Sequence, residues 1–155
     1  MDEASHLLAA SVAQVLLREN GSALCVRQAS DAVHAPGSLR LVGGPLRAGE
    51  PLDRAARREA EEQAGVHISP EQQEFVGLVH HRTPGGADRV TVVFVSQTWA
   101  GEPRSAELDE QEELFWVSME HPPPDCHPDT ATVFRLLTEG PSYQAVNWTS
   151  AGGSS

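Results

Sequence analysis

Three side chains in one short stretch have the types and spacing of a site for a divalent metal ion. Glu62 and Gln63 follow Glu59 by three and four residues, so on an α-helix all three share one face. Two neighbouring carboxylates repel each other, and a hard cation offsets that repulsion by binding their oxygens. Glu61 would point to the other side of the helix. The stretch therefore offers two charged ligands and one neutral ligand.

A glycine-rich loop precedes these residues. Gly43, Gly44 and Gly49 carry no side chain, so the backbone there can approach a bound group closely. A hard-metal site beside such a loop is suited to a phosphate ligand, and Gly43 and Gly44 are the candidate substrate contacts. Arg27, at the end of a predicted strand, is a further candidate phosphate contact, with an ordinary surface arginine as the alternative.

Composition limits the classes of protein to be considered. The chain of 155 residues has 22 acidic and 11 basic residues and a formal net charge of −11. A length of this order predicts one domain with one core. The acidic balance disfavours binding to nucleic acid through phosphate neutralisation, whereas a small anionic substrate can still bind through a metal ion and a few local arginines.

The sequence also bears on location. The apolar stretch at residues 7–17 is interrupted by Ser11 and Gln14 and follows an acidic start, so neither a membrane span nor a signal peptide is predicted. Cys25 and Cys126 give no disulfide framework, and reduced thiols in a cytoplasmic protein are the expectation.

Periodicity and turn residues predict an α/β fold. The expected strands and helices are listed together: strands at 8–17, 23–28, 39–42, 74–82, 89–98 and 114–117, and helices at 51–65 and 129–137. Asn20 and Gly21 predict a tight hairpin turn between the first two strands. A mixed sheet with a helix on each face is the expected arrangement, in a single domain over residues 1–150 with a disordered tail at 151–155.

Two features refine this expectation. Ala56, Ala60 and Ala64 form a small-residue stripe that would let the first helix pack closely on the sheet. Tyr143 and Trp148 are expected to hold the C-terminal segment against the domain. His121, Cys126 and His127 have no fourth ligand at a suitable spacing, so a zinc site is not favoured there.

Residues 44–66 resemble the Nudix box, the signature of the MutT/Nudix hydrolase superfamily. The spacing of the pattern is kept throughout its fixed positions, which here are Gly44, Glu50, Arg58, Glu59, Glu62, Gly65 and Val66. Ala60 stands where the pattern has a larger aliphatic residue, and Gln63 replaces the second of two consecutive glutamates. The resemblance extends to residues 101–103, to Glu107 and to the Trp-containing strand at 114–117.

The resemblance implies a Nudix-type α/β/α sandwich and a reaction. That reaction is hydrolysis of a nucleoside diphosphate linked to another moiety, with Mg²⁺ or Mn²⁺ required. The family's metal ligands or catalytic base would correspond to Glu59 and Glu62, and Gln63 stands at another main metal position. The resemblance also allows a homodimer.

The remaining roles follow from the same resemblance. Gly44 would supply a loop carbonyl to the metal, and Glu50 and Arg58 would tie the loop to the helix. Glu107 would bind a further metal ion or orient water. Two alternatives to a hydrolase stay open. One is a nucleotide or nucleotide-sugar binding module with weak or no turnover, because Gln63 carries no charge. The other is an interaction domain that keeps only the fold.

Overall fold

The computed structural model describes residues 5–28, 37–104 and 113–148. Its elements, in chain order, are β1 Ala9–Leu16, β2 Ser22–Arg27, β3 Leu39–Leu41, β4 Gly43–Pro45, α1 Leu52–Ala64, β5 Glu74–Arg82, β6 Asp88–Ser96, β7 Glu113–Ser118, α2 Pro128–Glu139 and β8 Tyr143–Val146. One turn of 3₁₀ helix at Pro70–Gln72 precedes β5.

The strands form two sheets. The larger has the order β4-β1-β6-β5-β8 and is mixed, because β1 runs parallel to β6 and β5 runs parallel to β8. The smaller is antiparallel, in the order β3-β2-β7. The predicted α/β fold with a mixed sheet is therefore confirmed, and the division into two sheets is an additional finding.

The predicted hairpin is only partly right. The turn exists, since Arg18 N donates to Ser22 O at 2.9 Å and Gly21 has a φ of 83°. However, β2 does not form a ladder with β1. Beside the turn, Leu17 and Ala23 form a single isolated bridge. Both edges of β1 already pair, with β4 and with β6, so β2 continues into the smaller sheet.

The two helices cover opposite faces of the larger sheet. Alternate residues of β1 face different helices: Val12 packs with Ala55 and Ala56 of α1, whereas Ala13 packs with Val133 and Phe134 of α2. This alternation is the normal consequence of the strand repeat. The three-layer arrangement predicted from the sequence is confirmed, with β3-β2-β7 as a second sheet beside it.

Helix α1 packs closely because its buried stripe is small. Ala56, Ala60 and Ala64 are fully buried, as predicted. The helix ends at Gly65, whose φ of 69° and ψ of 21° place it in the left-handed conformation that glycine adopts without strain. Close packing holds the Glu59 face of the helix against the β4 loop.

The C-terminal segment adds a strand that sequence patterns did not predict. Tyr143–Val146 pairs in parallel with β5. Trp148 Nε1 donates to the carbonyl oxygen of His80 at 2.9 Å, and its ring lies 4.7 Å from the His80 ring. Trp148 thus holds the segment as predicted, whereas Tyr143 is about half exposed. None of the described helices has the length and apolar character needed to cross a membrane.

Candidate active site

Glu59 and Glu62 of α1 lie side by side at the end of the β4 loop. Arg58 Nη1 is 3.3 Å from Glu59 Oε2 and 3.2 Å from Glu62 Oε1, so one guanidinium nitrogen contacts both carboxylates. Glu59 is 7% exposed and Glu62 is half-buried. The burial of Glu59 keeps its carboxylate out of bulk water, where its interaction with a cation would be screened more strongly.

Arg58 also joins the helix to the loop through Glu50. Arg58 Nε donates to Glu50 Oε2 at 2.7 Å, and Arg58 Nη2 donates to Glu50 Oε1 at 3.0 Å. This bidentate geometry is a strong form of carboxylate recognition. The hydrogen bonds from Arg58 hold the pKa of Glu50 below its usual value, and they raise the pKa of Arg58. Both groups are therefore charged at neutral pH.

At two positions the loop lies so close to its neighbours that an added Cβ atom would force a shift. A Cβ atom on Gly44 would lie 2.4 Å from Glu59 Oε2, and one on Gly43 would lie 2.1 Å from the carbonyl oxygen of Val12. Strand β4 is held there by its pairing with β1. The loop backbone consequently approaches the Glu59 carboxylate more closely than any other residue type would allow.

Gln63 occupies the centre of a hydrogen-bond network. Its Nε2 donates to Glu59 Oε1 at 2.7 Å and to the carbonyl oxygen of Gly43 at 2.8 Å. Its Oε1 accepts from Arg40 Nη1 at 3.0 Å. Arg40 is a residue that the sequence patterns did not identify. The available signal was its place between Leu39 and Leu41 in a short strand, where alternation turns it away from their core.

A cavity of about 800 Å³ opens beside the loop. It lies between β1, β3 and β6 and the start of α2, and Gly43, Gly44 and Arg40 form part of its wall. Hydroxyl groups contribute to the lining, since Ser11 Oγ and Thr91 Oγ1 are 3.1 Å apart. The cavity combines an apolar surface with a few polar groups, as small-molecule sites commonly do.

Charged groups flank this cavity where β6 meets α2. Arg89 and Asp129 form an ion pair and both line the cavity. His81 is 5% exposed, and its Nδ1 lies 3.6 Å from Asp129 Oδ1. Burial lowers the pKa of His81. His80 points to the other face of the strand, where it contacts Asp88, as alternation predicts.

Two predicted site residues are not part of this group. Arg27 donates to Asp125 Oδ2 at 2.7 Å and to the carbonyl oxygen of Gly37 at 2.8 Å, and it is not among the described residues that line the cavity. It would reach a phosphate only by giving up these bonds. Glu107 lies outside the described residues. Within residues 5–28, 37–104 and 113–148, no three His, Cys, Asp or Glu side chains form a group that would hold a metal ion.

Comparison with known proteins identifies the family. The NUDIX domain matches residues 7–137, which is most of the chain and includes the loop, α1 and most of α2. The chain therefore belongs to the NUDIX family, and it is a Nudix hydrolase. A search of curated proteins returned no match.

Solved structures have the same fold. A MutT NUDIX hydrolase from Burkholderia pseudomallei is 25% identical with a TM-score of 0.74, over 86% of this chain and 100% of that one. A NUDIX hydrolase from Nitrosomonas europaea is 20% identical with a TM-score of 0.70, and the match covers 88% of this chain and 93% of that one. A bifunctional NMN adenylyltransferase/ADP ribose pyrophosphatase from Francisella tularensis is 18% identical with a TM-score of 0.62, and the match covers 88% of this chain and 42% of that one.

Family membership gives the general chemistry. Nudix hydrolases cleave pyrophosphate linkages in nucleoside diphosphate derivatives, generally with divalent metal ions, and their substrates are small nucleotides. The described residues supply two adjacent carboxylates, a glycine loop in contact with one of them and a neighbouring cavity.

Proposed function

We propose that this chain hydrolyses a pyrophosphate linkage in a nucleoside diphosphate derivative, with Mg²⁺ or Mn²⁺ held by Glu59 and Glu62. The observation that carries the proposal is the shared contact of both carboxylates with Arg58 Nη1, at 3.3 and 3.2 Å, directly beside Gly44. Like charges held this close on one helix face are typical of a site for a divalent cation.

The donor atoms fit such an ion. Magnesium needs one or two carboxylates and keeps several waters of its own, so Glu59 and Glu62 suffice without a full protein cage. Gly44 would contribute its carbonyl, and Glu107 a further ligand. When bound, the cation would neutralise phosphate oxygens and lower the pKa of a water molecule.

The protein's own groups would then position the reactants and move the proton. A carboxylate oxygen of Glu59 or Glu62 that is not engaged by the cation accepts the proton of the attacking water, which typically contributes about 10²–10⁴-fold in rate. Glu50 and Arg58 hold the loop against α1, so that the carboxylates keep their orientation. Gly43 and Gly44 let the backbone approach the phosphates.

The nucleoside part would lie in the cavity. Its volume of about 800 Å³ is within the range of about 300–1,000 Å³ usual for ligand sites. The cavity begins at Gly43 and Gly44, so a ligand there could extend its phosphates over the loop toward Glu59. Thr130 and the pair Ser11 and Thr91 offer hydroxyl groups for orientation.

Gln63 supports a second candidate function, a nucleotide or nucleotide-sugar binding module with weak or no turnover. The amide nitrogen of Gln63 donates to Glu59 Oε1 and to the carbonyl oxygen of Gly43. These two oxygens, one from each residue, are therefore already hydrogen-bonded. A site with fewer oxygens available to a cation would bind it less tightly.

A hydrolysis screen separates these functions. Release of phosphate, pyrophosphate or nucleoside monophosphate is measured for nucleoside triphosphates, oxidised nucleotides, ADP-ribose, dinucleoside polyphosphates and nucleotide sugars, each with Mg²⁺ and with Mn²⁺. Metal-dependent turnover that Glu62→Gln abolishes supports the hydrolase. A rise in Tm with a nucleotide, without turnover, favours the binding module. No effect of any nucleotide favours an interaction domain.

The assembly and location of the protein are also proposed. We expect one domain over residues 1–150, a cytoplasmic location and, as the resemblance allows, a homodimer. Light scattering coupled to size-exclusion chromatography measures the oligomeric state directly, and limited proteolysis tests whether residues 1–150 behave as one unit.

A further inference from the structure

A glutamine is completely buried between α1 and the larger sheet. Gln14 has an exposed fraction of 0%, and on β1 it lies between Val12 and Leu16, whose side chains pack on the alanines of α1. Strand alternation places Gln14 on this same side of β1. A polar side chain is costly in such a place unless its donors and acceptors are satisfied. The hydrogen bonds of Gln14 therefore decide whether it is tolerated there.

Gln14 belongs to a chain of hydrogen bonds that ends on α1. Gln14 Nε2 donates to Ser96 Oγ at 3.0 Å, and Gln14 Oε1 accepts from Gln73 Nε2 at 2.8 Å. Gln73 Nε2 also donates to the carbonyl oxygen of Asp53 at 3.0 Å, and Gln73 Oε1 accepts from Arg57 Nη1 at 2.6 Å. Asp53 and Arg57 are both residues of α1. Two side-chain amides thus join the helix to β1 and β6.

The chain of hydrogen bonds has one direction. A guanidinium can only donate and a backbone carbonyl can only accept, so Arg57 fixes the amide oxygen of Gln73 and Asp53 fixes its nitrogen. That nitrogen in turn fixes the amide oxygen of Gln14. Reversal of either amide would oppose donor to donor or acceptor to acceptor. Because hydrogen bonds weaken steeply when they are misaligned, the chain is specific for the observed position of α1 on the sheet.

The apolar contacts of α1 define its position less sharply. Its buried apolar side chains are Ala55, Ala56, Ala60 and Ala64, which carry one methyl group each. Packed helices are positioned by ridges and grooves of side chains, and a surface of methyl groups forms only low ridges. Such a surface lets α1 approach the sheet closely but opposes sliding and rotation only weakly. A directional polar contact supplies the specificity that the alanines lack.

Gln14 also holds the glycine loop. Gln14 N donates to the carbonyl oxygen of Val42 at 2.9 Å, directly before β4. The main chain of Gln14 thus holds the start of the loop, and its side chain holds α1. Gly44 of the loop lies so close to α1 that a Cβ atom there would be 2.4 Å from Glu59 Oε2. The relative position of loop and helix therefore has little tolerance.

We propose that Gln14 and Gln73 are positioning residues, which set the position of α1 along and around its axis so that Glu59 and Glu62 face the glycine loop. The inference rests on the proposed function, because it takes these two carboxylates as the reactive groups. Gln14 and Gln73 act through the helix. Neither is among the described residues that line the cavity, so they serve the carboxylates without contacting the nucleoside.

Two attachments of α1 act together in this proposal. Arg58 joins the helix to Glu50 of the loop, and Arg57 joins it to Gln73. Successive residues of a helix point about 100° apart, so the two arginines hold adjacent sides of α1. A helix held on one side can pivot about that attachment. Loss of the chain through Gln73 should therefore let the carboxylates move, and a displacement of about 1 Å can cost about a hundredfold in rate.

The test replaces Gln14 by leucine, which has a similar size and no hydrogen-bonding group. Paramagnetic resonance measures Mn²⁺ affinity without substrate. Near-UV circular dichroism reports the stacked rings of Trp99 and Trp116, which pack against the cluster that contains Ala60 of α1. We expect Gln14→Leu to bind Mn²⁺ about tenfold more weakly, the order found for residues that orient metal ligands, and to change the near-UV signal. In hydrolysis, kcat should fall while KM stays unchanged.

A second variant tests whether the two amides act as one unit. Gln73→Leu should weaken Mn²⁺ binding as Gln14→Leu does, and the double variant should bind Mn²⁺ as weakly as Gln14→Leu alone. Independent contributions would instead multiply, to about a hundredfold in the double variant. Such a multiplied loss would refute the chain as the common cause. Thermal unfolding shows whether each variant is folded.

Two controls separate positioning from general destabilisation. Gln144→Leu makes the same change on β8, at the far edge of the sheet from β4, and should alter neither Mn²⁺ affinity nor the near-UV signal. Leu136→Val removes a methylene group from the buried part of α2. It should lower Tm and leave Mn²⁺ affinity unchanged. A Mn²⁺ loss in Leu136→Val equal to that in Gln14→Leu would overturn the proposal.

The outcomes also distinguish this proposal from the proposed function. Wild-type Mn²⁺ binding that Gln14→Leu leaves unchanged would overturn the positioning role and leave the hydrolase intact. A wild-type protein that binds no Mn²⁺ would refute the proposed cation site. In that case the near-UV signal of Gln14→Leu still shows whether the chain of hydrogen bonds sets the position of α1, and an unchanged signal would refute that as well.

Discussion

Three arginines of the described residues contact the carboxylate face of α1. Arg47 contacts Glu62, and the other two meet different partners there. Arg58, on the helix itself, contacts Glu50, Glu59 and Glu62. Arg40, on β3, contacts the neutral amide of Gln63. Arg58 is surrounded by carboxylates, whereas Arg40 contacts the face at an uncharged amide.

The difference has an electrostatic consequence. On the Arg58 side, three carboxylates face two guanidinium groups, those of Arg58 and Arg47. The excess negative charge favours a further positive charge there, such as a metal ion. Around Gln63, the residue in contact with Arg40 is a neutral amide and contributes no negative charge. One helix face thus combines a carboxylate-rich half, which we propose binds the cation, with a half that presents the neutral amide of Gln63, and the predictions below test each half.

The largest effect is expected at Glu62. Glu62→Gln removes one charge of the proposed cation site and a candidate proton acceptor, and we expect turnover to fall by about 10²–10⁴-fold. The fold should stay intact because Glu62 is only half-buried. Steady-state hydrolysis of the best substrate from the screen, together with thermal unfolding, measures both quantities.

Glu61→Gln is the control for this prediction. Glu61 is the preceding residue on the same helix, and its side chain is 68% exposed on the other side. The same change in charge there should leave turnover unaltered. Substantial activity in Glu62→Gln, or equal losses in the two variants, would remove Glu62 from the mechanism and weaken the assignment of a cation-binding half.

Gly44→Ala should displace the buried carboxylate without changing any charge. The added Cβ would lie 2.4 Å from Glu59 Oε2, so either the carboxylate or the loop must move. Misplacement of a reacting group by about 1 Å can cost about a hundredfold in rate, and we expect a loss of that order in kcat. Gly85→Ala is the matched control, because a Cβ at Gly85 meets open space. Unchanged kcat in Gly44→Ala would show that the loop does not fix Glu59.

Gln63→Glu tests the boundary between the two halves. The new carboxylate adds a metal ligand, so we expect tighter Mn²⁺ binding and more activity at low Mg²⁺. The side chain would also pair with Arg40, which opposes this gain. The double variant Gln63→Glu with Arg40→Gln should therefore bind Mn²⁺ about tenfold more tightly than Gln63→Glu alone, the order expected for a residue that contacts a metal ligand.

Paramagnetic resonance of Mn²⁺ measures this affinity in the absence of substrate. Gln63→Asn serves as a control that alters the side-chain length without adding charge, and it should not tighten Mn²⁺ binding. If the single and double variants bind Mn²⁺ equally, Arg40 does not influence the cation site. No change in either variant would mean that residue 63 faces away from the metal.

The fold was largely predictable because its signals are local. Pro51 and Gly65 mark the ends of α1, and the stripe of Ala56, Ala60 and Ala64 predicts its buried face. The division into two sheets was not predictable, since the pairing of β1 with β6 joins residues such as Ser11 and Thr91 that are 80 positions apart. Whether a strand pairs with the strand before it depends on whether the edges of that earlier strand are already paired with other strands.

The candidate site shows the same limit. Spacing predicts that Glu59, Glu62 and Gln63 share a helix face, because helical geometry is regular over one turn. It does not predict the contact between Gln63 and Arg40, which are 23 residues apart on a helix and a strand. That contact depends on how closely α1 packs on the sheets, so the hydrogen-bond partner of Gln63 is visible only in the three-dimensional structure.

The smallest effect concerns stability in acid. Hydrogen bonds from Arg58 lower the pKa of Glu50, so the folded chain holds the proton of this group less tightly than the unfolded chain does. The stabilisation is then fully present above the ordinary glutamate pKa of about 4.3, and it is lost as the pH falls through the lowered pKa of the folded state. Glu50→Gln should be less stable than the wild type at neutral pH, with a difference that shrinks in acid.

Urea unfolding of both proteins between about pH 3 and pH 7 measures this difference in the free energy of unfolding. A difference that stays constant over the range would mean that the Arg58–Glu50 pair does not titrate with folding. The amide of Gln63 has no proton to gain in this range, so Gln63→Asn should not remove the contribution of Glu50 to the pH dependence. The pH series therefore assigns the acid-sensitive stability to the Arg58 half of the face.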